Sequence, residues 1–455
     1  MPTVMWFRRD LRIQDNPALN AAIESARATG DGEVTPMVMI DDSLWPLWGQ
    51  AKRHYLVESL KALSTSLDDS LVVRHGDALK EVVAVAKAVG ATEVHCAADF
   101  TTHGIERDKA VEAALAQLGI KLVITGSTYA VAPGRVLKND GTPFKVYTPF
   151  YKAWLVHGWR KPVEYVGPAK WNRSVESHGF PEVEPPAGME ISPAGEQAAF
   201  DRWEWFRDNA IREYKDLRDR ADLDATSKLS VHLKWGEIHP RTLLAELGTS
   251  AGEEHFGKEL AWREFYADVL FHNQHTATEY LNPTFARMEY NSGPESDAQV
   301  EAWKQGKTGY PFVDAGMRQL LAEGWMHNRV RMVTASFFVK DLHREWQEGA
   351  AWFFDLLKDA DIASNQHGWQ WTAGCGTDAA PYFRIFNPIT QGLRFDPNGD
   401  YVRKYIPELR HIPGAAVHEP WEQPDGYAHG YAQRVVDHSV ERDVALARLQ
   451  ALKDK

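Results

Sequence analysis

The chain has 455 residues, room for two or three domains and a sizeable core, and its 44% hydrophobic and 25% charged residues are ordinary for a globular protein. Two cysteines, Cys96 and Cys375, exclude a disulfide framework, and no apolar run approaches the ~20 residues of a membrane span. Acidic residues outnumber basic ones 63 to 51, which argues against a protein that holds nucleic acid by net charge alone.

Short apolar or β-branched runs at Thr3–Phe7, Val34–Ile40, Ser70–Arg74, Glu93–Ala97 and Lys121–Thr125 predict five strands. Helical periodicity over Lys52–Leu67 and Glu106–Leu118 alternates with them, and Asp15-Asn16-Pro17 signals a helix start. This alternation predicts an α/β domain over residues 1–130, a doubly wound, mostly parallel five-stranded sheet with its ligand site at the strands' carboxyl ends. The first strand runs into Arg8-Arg9-Asp10-Leu11-Arg12 instead of a glycine-rich turn, and no P-loop sequence occurs, so a conventional dinucleotide or P-loop site is disfavoured. Residues 131–200, punctuated by Pro162, Pro168, Pro181, Pro185, Pro186 and Pro193, have the pattern of an interdomain connection. Beyond residue 200 the spacing is helical, at Glu259–Leu270, Phe312–Glu323, Trp325–His343 and Ala350–Asp359, which predicts a larger all-α domain over residues 201–455. That half carries eleven of the 17 tryptophans.

No zinc-protease, paired-cysteine or serine-elbow motif is present, and His272 and His275 stand without companion metal ligands. Three other segments stand out. Glu259, Trp262 and Arg263 share a helix face, where carboxylate, indole and guanidinium suit a flat heterocycle; a surface ion pair beside a core indole has the same spacing. Trp325 to Met332 places Asn328, Arg331 and Met332 on one side, suited to a polar pocket with one soft wall, or to a helix with solvated arginines. Asp359 to Trp371, running on through Gly376 to Pro388, is too polar and too aromatic for a plain core segment.

These residues carry a resemblance. GWQWTAGCGTDAAPYFRIFNP (368–388), WMHNRVRM (325–332) and WFRRDLRIQDNPAL (6–19) closely resemble the signatures of the photolyase/cryptochrome family, and the likeness extends over essentially the whole chain. It implies a light-driven flavoenzyme, nearest the class I cyclobutane pyrimidine dimer photolyases, with FAD in the helical domain. By this resemblance Tyr214, Thr226, Ser227, Lys228, Leu229, Ser230 and Phe256 hold the cofactor, with hydroxyls and N–H groups of the 226–230 run suited to its diphosphate. Glu259, Arg263, Asn328, Arg331, Asp359, Asp361 and Asn365 surround the rest, Arg331 pairing with Asp359 and Asn365 facing flavin N5.

The flipped dimer meets Glu259, Trp262, Asn328, Met332 and Trp371, by the same resemblance, and the DNA backbone meets Arg218, Arg263, Arg329 and Arg384. Trp369 and Trp346 match the first two members of an electron-transfer chain, and Tyr290 stands where a third tryptophan is usual. Asn328 and Met332 occupy places where a (6-4) photolyase is expected to carry histidines. Asn365 fits repair enzymes better than several groups of cryptochrome, the photoreceptor alternative. Gly104 replaces a glutamate of the methenyltetrahydrofolate-binding relatives, so 8-hydroxy-5-deazaflavin is the expected second chromophore, if there is one. The expected partner is UV-damaged DNA, single- or double-stranded, and the expected setting a cytoplasmic monomer with no membrane association. The acidity then predicts weak non-specific DNA affinity, with a local arginine cluster sufficient for the lesion.

Overall fold

Strand β1 (Thr3–Phe7) is buried along its whole length, which places it at the centre of a sheet covered on both faces. A computed structural model describes residues 2–30, 32–378 and 383–453. In it β1 pairs in parallel with β2 (Glu33–Asp41) and β4 (Glu93–Ala98), and the sheet runs β3 (Val72–Gly76), β2, β1, β4, β5 (Lys121–Ser127). A sixth strand, β6 (Lys170–Trp171), pairs with β2 at Glu33–Val34, upstream of the Met37–Asp41 stretch used by β3. All these pairings are parallel, as the alternating pattern predicts. Strand order reverses between β1 and β4, so the segments leaving them flank one crevice.

Helices α1 (Pro17–Thr29), α2 (Gln50–Ser66), α3 (Ala78–Ala88) and α4 (Thr102–Ala116) belong to this half. Asn16 caps α1 through the N–H of Leu19. α4 starts four residues ahead of the periodic stretch, because the Thr101 hydroxyl accepts from Gly104 N–H and caps it there.

The connecting region contains α5 (Tyr147–His157) and β6 and ends as α6 (Glu196–Asn209) begins. Val131, Val136, Phe150 and Trp154 pack against Phe265 and Val269 of the helical half. Buried Glu264 secures them, accepting from the Ala130 and Val131 N–H groups and from Trp154 Nε1 at 2.6 Å. Farther on, Tyr165, Trp171, Phe180 and Ile191 cover the sheet's own core.

The helical half comprises α7 (Tyr214–Leu217), α8 (Ser230–Trp235), α9 (Pro240–Ala245), α10 (Ala251–His272), α11 (Pro294–Lys304) and α12 (Pro311–Glu323). It continues with α13 (Asn328–Lys340), α14 (Trp346–Leu356), α15 (Ile362–Ala373), α16 (Pro388–Phe395), α17 (Asp400–Tyr405) and α18 (His438–Lys453). Two expected boundaries are corrected. The helix expected from Trp325 starts at Asn328, because the His327 ring accepts from Arg329 N–H and caps it. The helix expected over Ala350–Asp359 begins at Trp346 and stops at Leu356, leaving Asp359 and Asp361 in the turn before α15.

The two halves meet on close backbone approaches. Gly236 has φ +69°, and a Cβ on it would lie 2.0 Å from the Arg9 carbonyl oxygen, so neither side chain nor ordinary backbone is tolerated there. Lys52, buried in α2, donates to the Phe354 carbonyl at 2.7 Å. Among the described residues no helix is long and apolar enough to cross a membrane.

Candidate functional site

The Asp359–Asn365 turn is built around carboxylates placed by hydrogen bonds. Asp359, whose side chain is 1% exposed, receives a two-pronged ion pair from Arg331 at 2.7 and 3.2 Å. Arg331 Nε donates to the Met326 carbonyl at 2.8 Å, fixing the guanidinium from behind. Asp361 caps α15 through the N–H groups of Ala363 and Ser364, and its other oxygen meets Arg9 at 2.6 Å. Both oxygens of Asp361 are therefore taken, one by a helix and one by the α/β half. Burial opposes ionisation of Asp361, but Arg9, Lys234 and Arg263 outweigh it and hold the carboxyl well below its usual range. One turn on, Asn365 Nδ2 donates to the Ala350 carbonyl at 3.0 Å.

The Thr226–Ser230 run is a tight turn ahead of α8. Arg202 braces it from outside, donating to the Ser227 carbonyl at 2.8 Å and to the Thr226 carbonyl at 2.5 Å. Lys228 takes φ +52° and pairs with Asp224 at 3.1 Å. Trp325 Nε1 donates to Ser230 Oγ at 3.2 Å, which brings the Trp325–Met332 segment to this turn. Leu229 and Phe256 are 1% and 3% exposed in an apolar cluster with Tyr214, so their side chains form the floor beneath the polar groups.

Glu259 and Trp262 share the α10 face expected of them. Glu259 is paired to Arg218, and the next residue, Asp219, pairs with Arg329 at 2.8 Å. Two adjacent residues thus bridge α10 and the start of α13, where Asn328 is exposed and Met332 half-buried. Trp262 stacks on Tyr147 with ring centres 3.7 Å apart and planes 9° from parallel, leaving one indole face covered. Tyr147 N–H in turn donates to the Asp378 carboxylate at 3.2 Å, and Thr377 donates to the Lys145 carbonyl at 2.6 Å. These bonds tie the loop after Trp371 to the Trp262–Tyr147 stack. Ala379 to Tyr382 of that loop lie outside the described residues.

Arg263 is placed differently from expectation. It donates to the carbonyls of Thr128 at 2.9 Å and Leu233 at 3.1 Å and lies over the Tyr129 ring, so it joins the two halves. Arg384 is exposed, and buried Lys340 donates to its carbonyl, anchoring the loop that carries it. Tyr147, Asp219 and Arg9 were not singled out from the sequence. Each is contributed from a distant segment; Tyr147 and Asp219 carry no local motif, and Arg9 lies in the 6–19 run without a role assigned to it there.

Comparison with known proteins decides the family. Residues 256–451 match the FAD binding domain of DNA photolyase and residues 3–168 match the DNA photolyase family. A deoxyribodipyrimidine photo-lyase from Halobacterium salinarum is 37% identical over 98% of this chain and 98% of its own, and one from Escherichia coli is 37% identical over 99% and 98%. The chain belongs to the DNA photolyase family. A class III photolyase structure from Agrobacterium tumefaciens superposes with TM-score 0.87 at 37% identity, covering 100% of this chain and 98% of that one. An archaeal photolyase structure from Sulfolobus tokodaii, described with two FAD molecules, gives 0.85 at 26% identity over 99% and 100%.

In this photolyase-family chain the match to the FAD binding domain lies within the helical half, and the donor set found in that half suits FAD. Thr226, Ser227 and Ser230 supply hydroxyls and Lys228 an ammonium, Arg331 and Asp359 supply a buried ion pair, Asn365 an amide, and Tyr214, Leu229 and Phe256 an apolar cluster. Of the expected electron-transfer residues, Trp369 is 3% exposed and rests against α14, where a Cβ on Gly349 would lie 2.2 Å from its Cη2. Trp346, one turn earlier on α14, is 1% exposed. Tyr290 packs against the same core and meets the Tyr280 hydroxyl at 2.9 Å, with no ring contact to Trp346 among the described residues.

Proposed function

We propose that the chain repairs cyclobutane pyrimidine dimers in DNA, single- or double-stranded, and acts as a monomer. Bound reduced FAD supplies light absorption and a one-electron donor. Around it Thr226, Ser227, Lys228 and Ser230 hold the diphosphate, and Arg331, Asp359 and Asn365 hold the flavin ring. Glu259 accepts a hydrogen bond from a thymine of the flipped dimer, Trp262 and Trp371 stack on it, and Asn328 and Met332 complete its cavity. Arg218, Arg329 and Arg384 meet the flanking phosphates, Arg218 and Arg329 exchanging their present carboxylate partners for phosphate.

The observation that carries this reading is the convergence on α10. Glu259 is bridged to the flavin-side helix α13 through Arg218-Asp219-Arg329, while Trp262 is bridged to the Trp371 loop through Tyr147 and Asp378. An aromatic face and a carboxylate therefore stand together on α10, within the FAD-binding match and held from four other chain segments. The test is illumination of dimer-containing single- and double-stranded oligonucleotides with chemically reduced, flavin-loaded protein. Light-dependent loss of dimers is expected, and none in either DNA would overturn the reading. Trp262→Ala is expected to weaken binding to the dimer-containing strand by about 1–3 kcal/mol, a factor of roughly 5 to 160, with undamaged DNA little affected. Fluorescence anisotropy with matched damaged and undamaged strands measures the difference.

A second chromophore of deazaflavin type belongs to the same proposal. The crevice between β1 and β4, lined by Arg8, Arg9, Asp99, Phe100, Thr128 and Tyr129, leaves about 10 Å³, space for a water and not for three fused rings. Arg8–Asp108 and Arg107–Asp99 pairs and the Arg9–Asp361 bridge close it. A tricyclic ligand therefore fits this crevice only if those pairs open. Reconstitution with 8-hydroxy-5-deazaflavin is expected to show slow uptake that Arg107→Ala accelerates; absence of uptake by both proteins would remove the crevice as its site.

A further inference from the structure

The proposed reduction path runs Trp369, Trp346 and then a tyrosine, and the structure offers two tyrosines at its outer end. Tyr280 lies edge-on to Trp346, ring centres 6.1 Å apart and planes at 87°. Its hydroxyl is 3.1 Å from Glu345 Oε1 and 2.9 Å from the Tyr290 hydroxyl. Tyr290 makes no ring contact with Trp346 among the described residues; its own hydroxyl donates to the Phe285 carbonyl at 3.2 Å. Glu345 immediately precedes Trp346 and is exposed to solvent. We propose that Tyr280, with Glu345 as its proton acceptor, is the residue that refills the electron vacancy on Trp346. This rests on the bound flavin of the proposed function and on the Trp369–Trp346 chain that the family resemblance implies.

The chemistry follows from what surrounds Trp346. Its indole is 1% exposed, and its Nε1 has no hydrogen-bond partner among the described residues. A tryptophan cation radical formed there cannot pass its N–H proton to a neighbour and remains a charge in an apolar core, which is costly. Tyr280 relieves that charge. One electron moves from the Tyr280 phenol to the Trp346 cation radical, the O–H bond breaks, and the proton goes to the Glu345 carboxylate. Trp346 is then closed-shell, Tyr280 a neutral phenoxyl radical and Glu345 a carboxylic acid able to release its proton to water. Bound flavin in an incompletely reduced form would supply the light-driven oxidant; Trp369 would give up the first electron and be refilled from Trp346, which leaves the vacancy there. In the resting state burial, then the Tyr290 and Glu345 contacts, hold the Tyr280 phenol protonated, so the proton is present to be moved. Tyr290 orients the Tyr280 hydroxyl and need not lose an electron.

Flash excitation of the flavin-loaded full chain, read by transient absorption and electron paramagnetic resonance in H2O and D2O, tests this. Wild type is expected to form a tyrosyl radical with a solvent isotope effect, and absence of any tyrosyl signal overturns the proposal. Tyr280→Phe should abolish that signal and shorten the charge-separated state at least ten-fold, whereas Tyr290→Phe should retain it. Glu345→Gln should slow tyrosyl formation several-fold and alter its isotope effect, and Glu345→Asp should restore it in part. A tyrosyl radical unchanged in Tyr280→Phe, or lost only in Tyr290→Phe, overturns the assignment. Unchanged kinetics in Glu345→Gln overturns the proton acceptor. The bound-flavin absorbance shows that each variant is folded and loaded. Dimer repair by chemically reduced wild type is measured alongside, and its failure would remove the repair reading while leaving the radical measurement intact.

Discussion

Replacing Arg331 by methionine is expected to strip the flavin from the protein and to cost about 3–5 kcal/mol of stability. The reason is Asp359, a carboxylate with a 1% exposed side chain whose partner is this one guanidinium. Arg331 supplies two parallel N–H bonds to it and a third to the Met326 carbonyl. Methionine keeps much of the aliphatic stem and removes all three donors, leaving a buried charge and an unpaired carbonyl. Arg331→Lys keeps the charge without the two-pronged geometry, so an intermediate loss is expected. The double variant Arg331→Met/Asp359→Leu should recover much of the stability, because an apolar pair removes the stranded charge, but not the flavin. Urea midpoints and the flavin-to-protein absorbance ratio after purification separate the two effects. Full flavin occupancy with an unchanged midpoint in Arg331→Met would remove the pair from the cofactor site.

What could be anticipated from sequence divides along physical lines. Parallel strands buried on both faces read as plain apolar runs, so β1 is found at Thr3–Phe7 as expected, and the order of the halves follows from the change in periodicity. Helix ends were less legible. α4 and α13 start where a Thr101 or His327 side chain accepts a backbone N–H, and a histidine cap has no distinctive sequence signature. Spacing alone put Glu259, Trp262 and Arg263 together on α10, but it could not separate their roles, since Arg263 is spent on Thr128 and Leu233 carbonyls from other segments. The connecting region concealed Tyr147 for the same reason: its stack on Trp262 is a contact across more than a hundred residues. The acidic balance is resolved locally too. Arg218 and Arg329 are each matched by a carboxylate, so the face proposed to meet DNA carries these cations already paired.

The bridge between the halves makes the second large effect, and it is a pH effect. Arg9 is the strongest cation acting on both Asp361 and Asp99. Burial works against ionisation of Asp99, yet Arg9, Arg107 and Arg8 outweigh it and hold the carboxyl at about 2. Asp361 is held below its usual range in the same way. A carboxyl depressed in the folded state stabilises it fully above the unfolded value of ~4, and that contribution disappears as pH falls through the folded value. For Asp99 alone the linkage is about 2 kcal/mol between pH ~4 and ~2. Arg9→Met is therefore expected to cost about 3 kcal/mol at pH 7, where Asp361 is ionised and its side chain nearly enclosed. The difference from wild type should shrink as pH falls from ~4 toward 2, because the unfolded chain's carboxyls take up protons that Asp99 and Asp361 resist in the folded state, and Asp361, held lower than Asp99, is the last to become neutral. Because Asp361 also caps α15, loss of the bridge should loosen the turn that carries Asp359 and speed flavin release before global unfolding. Urea titrations at pH 7, 4, 3 and 2, with flavin fluorescence as a second probe, measure this. Stability curves for the two proteins that stay parallel across that range would show that neither carboxyl depends on Arg9.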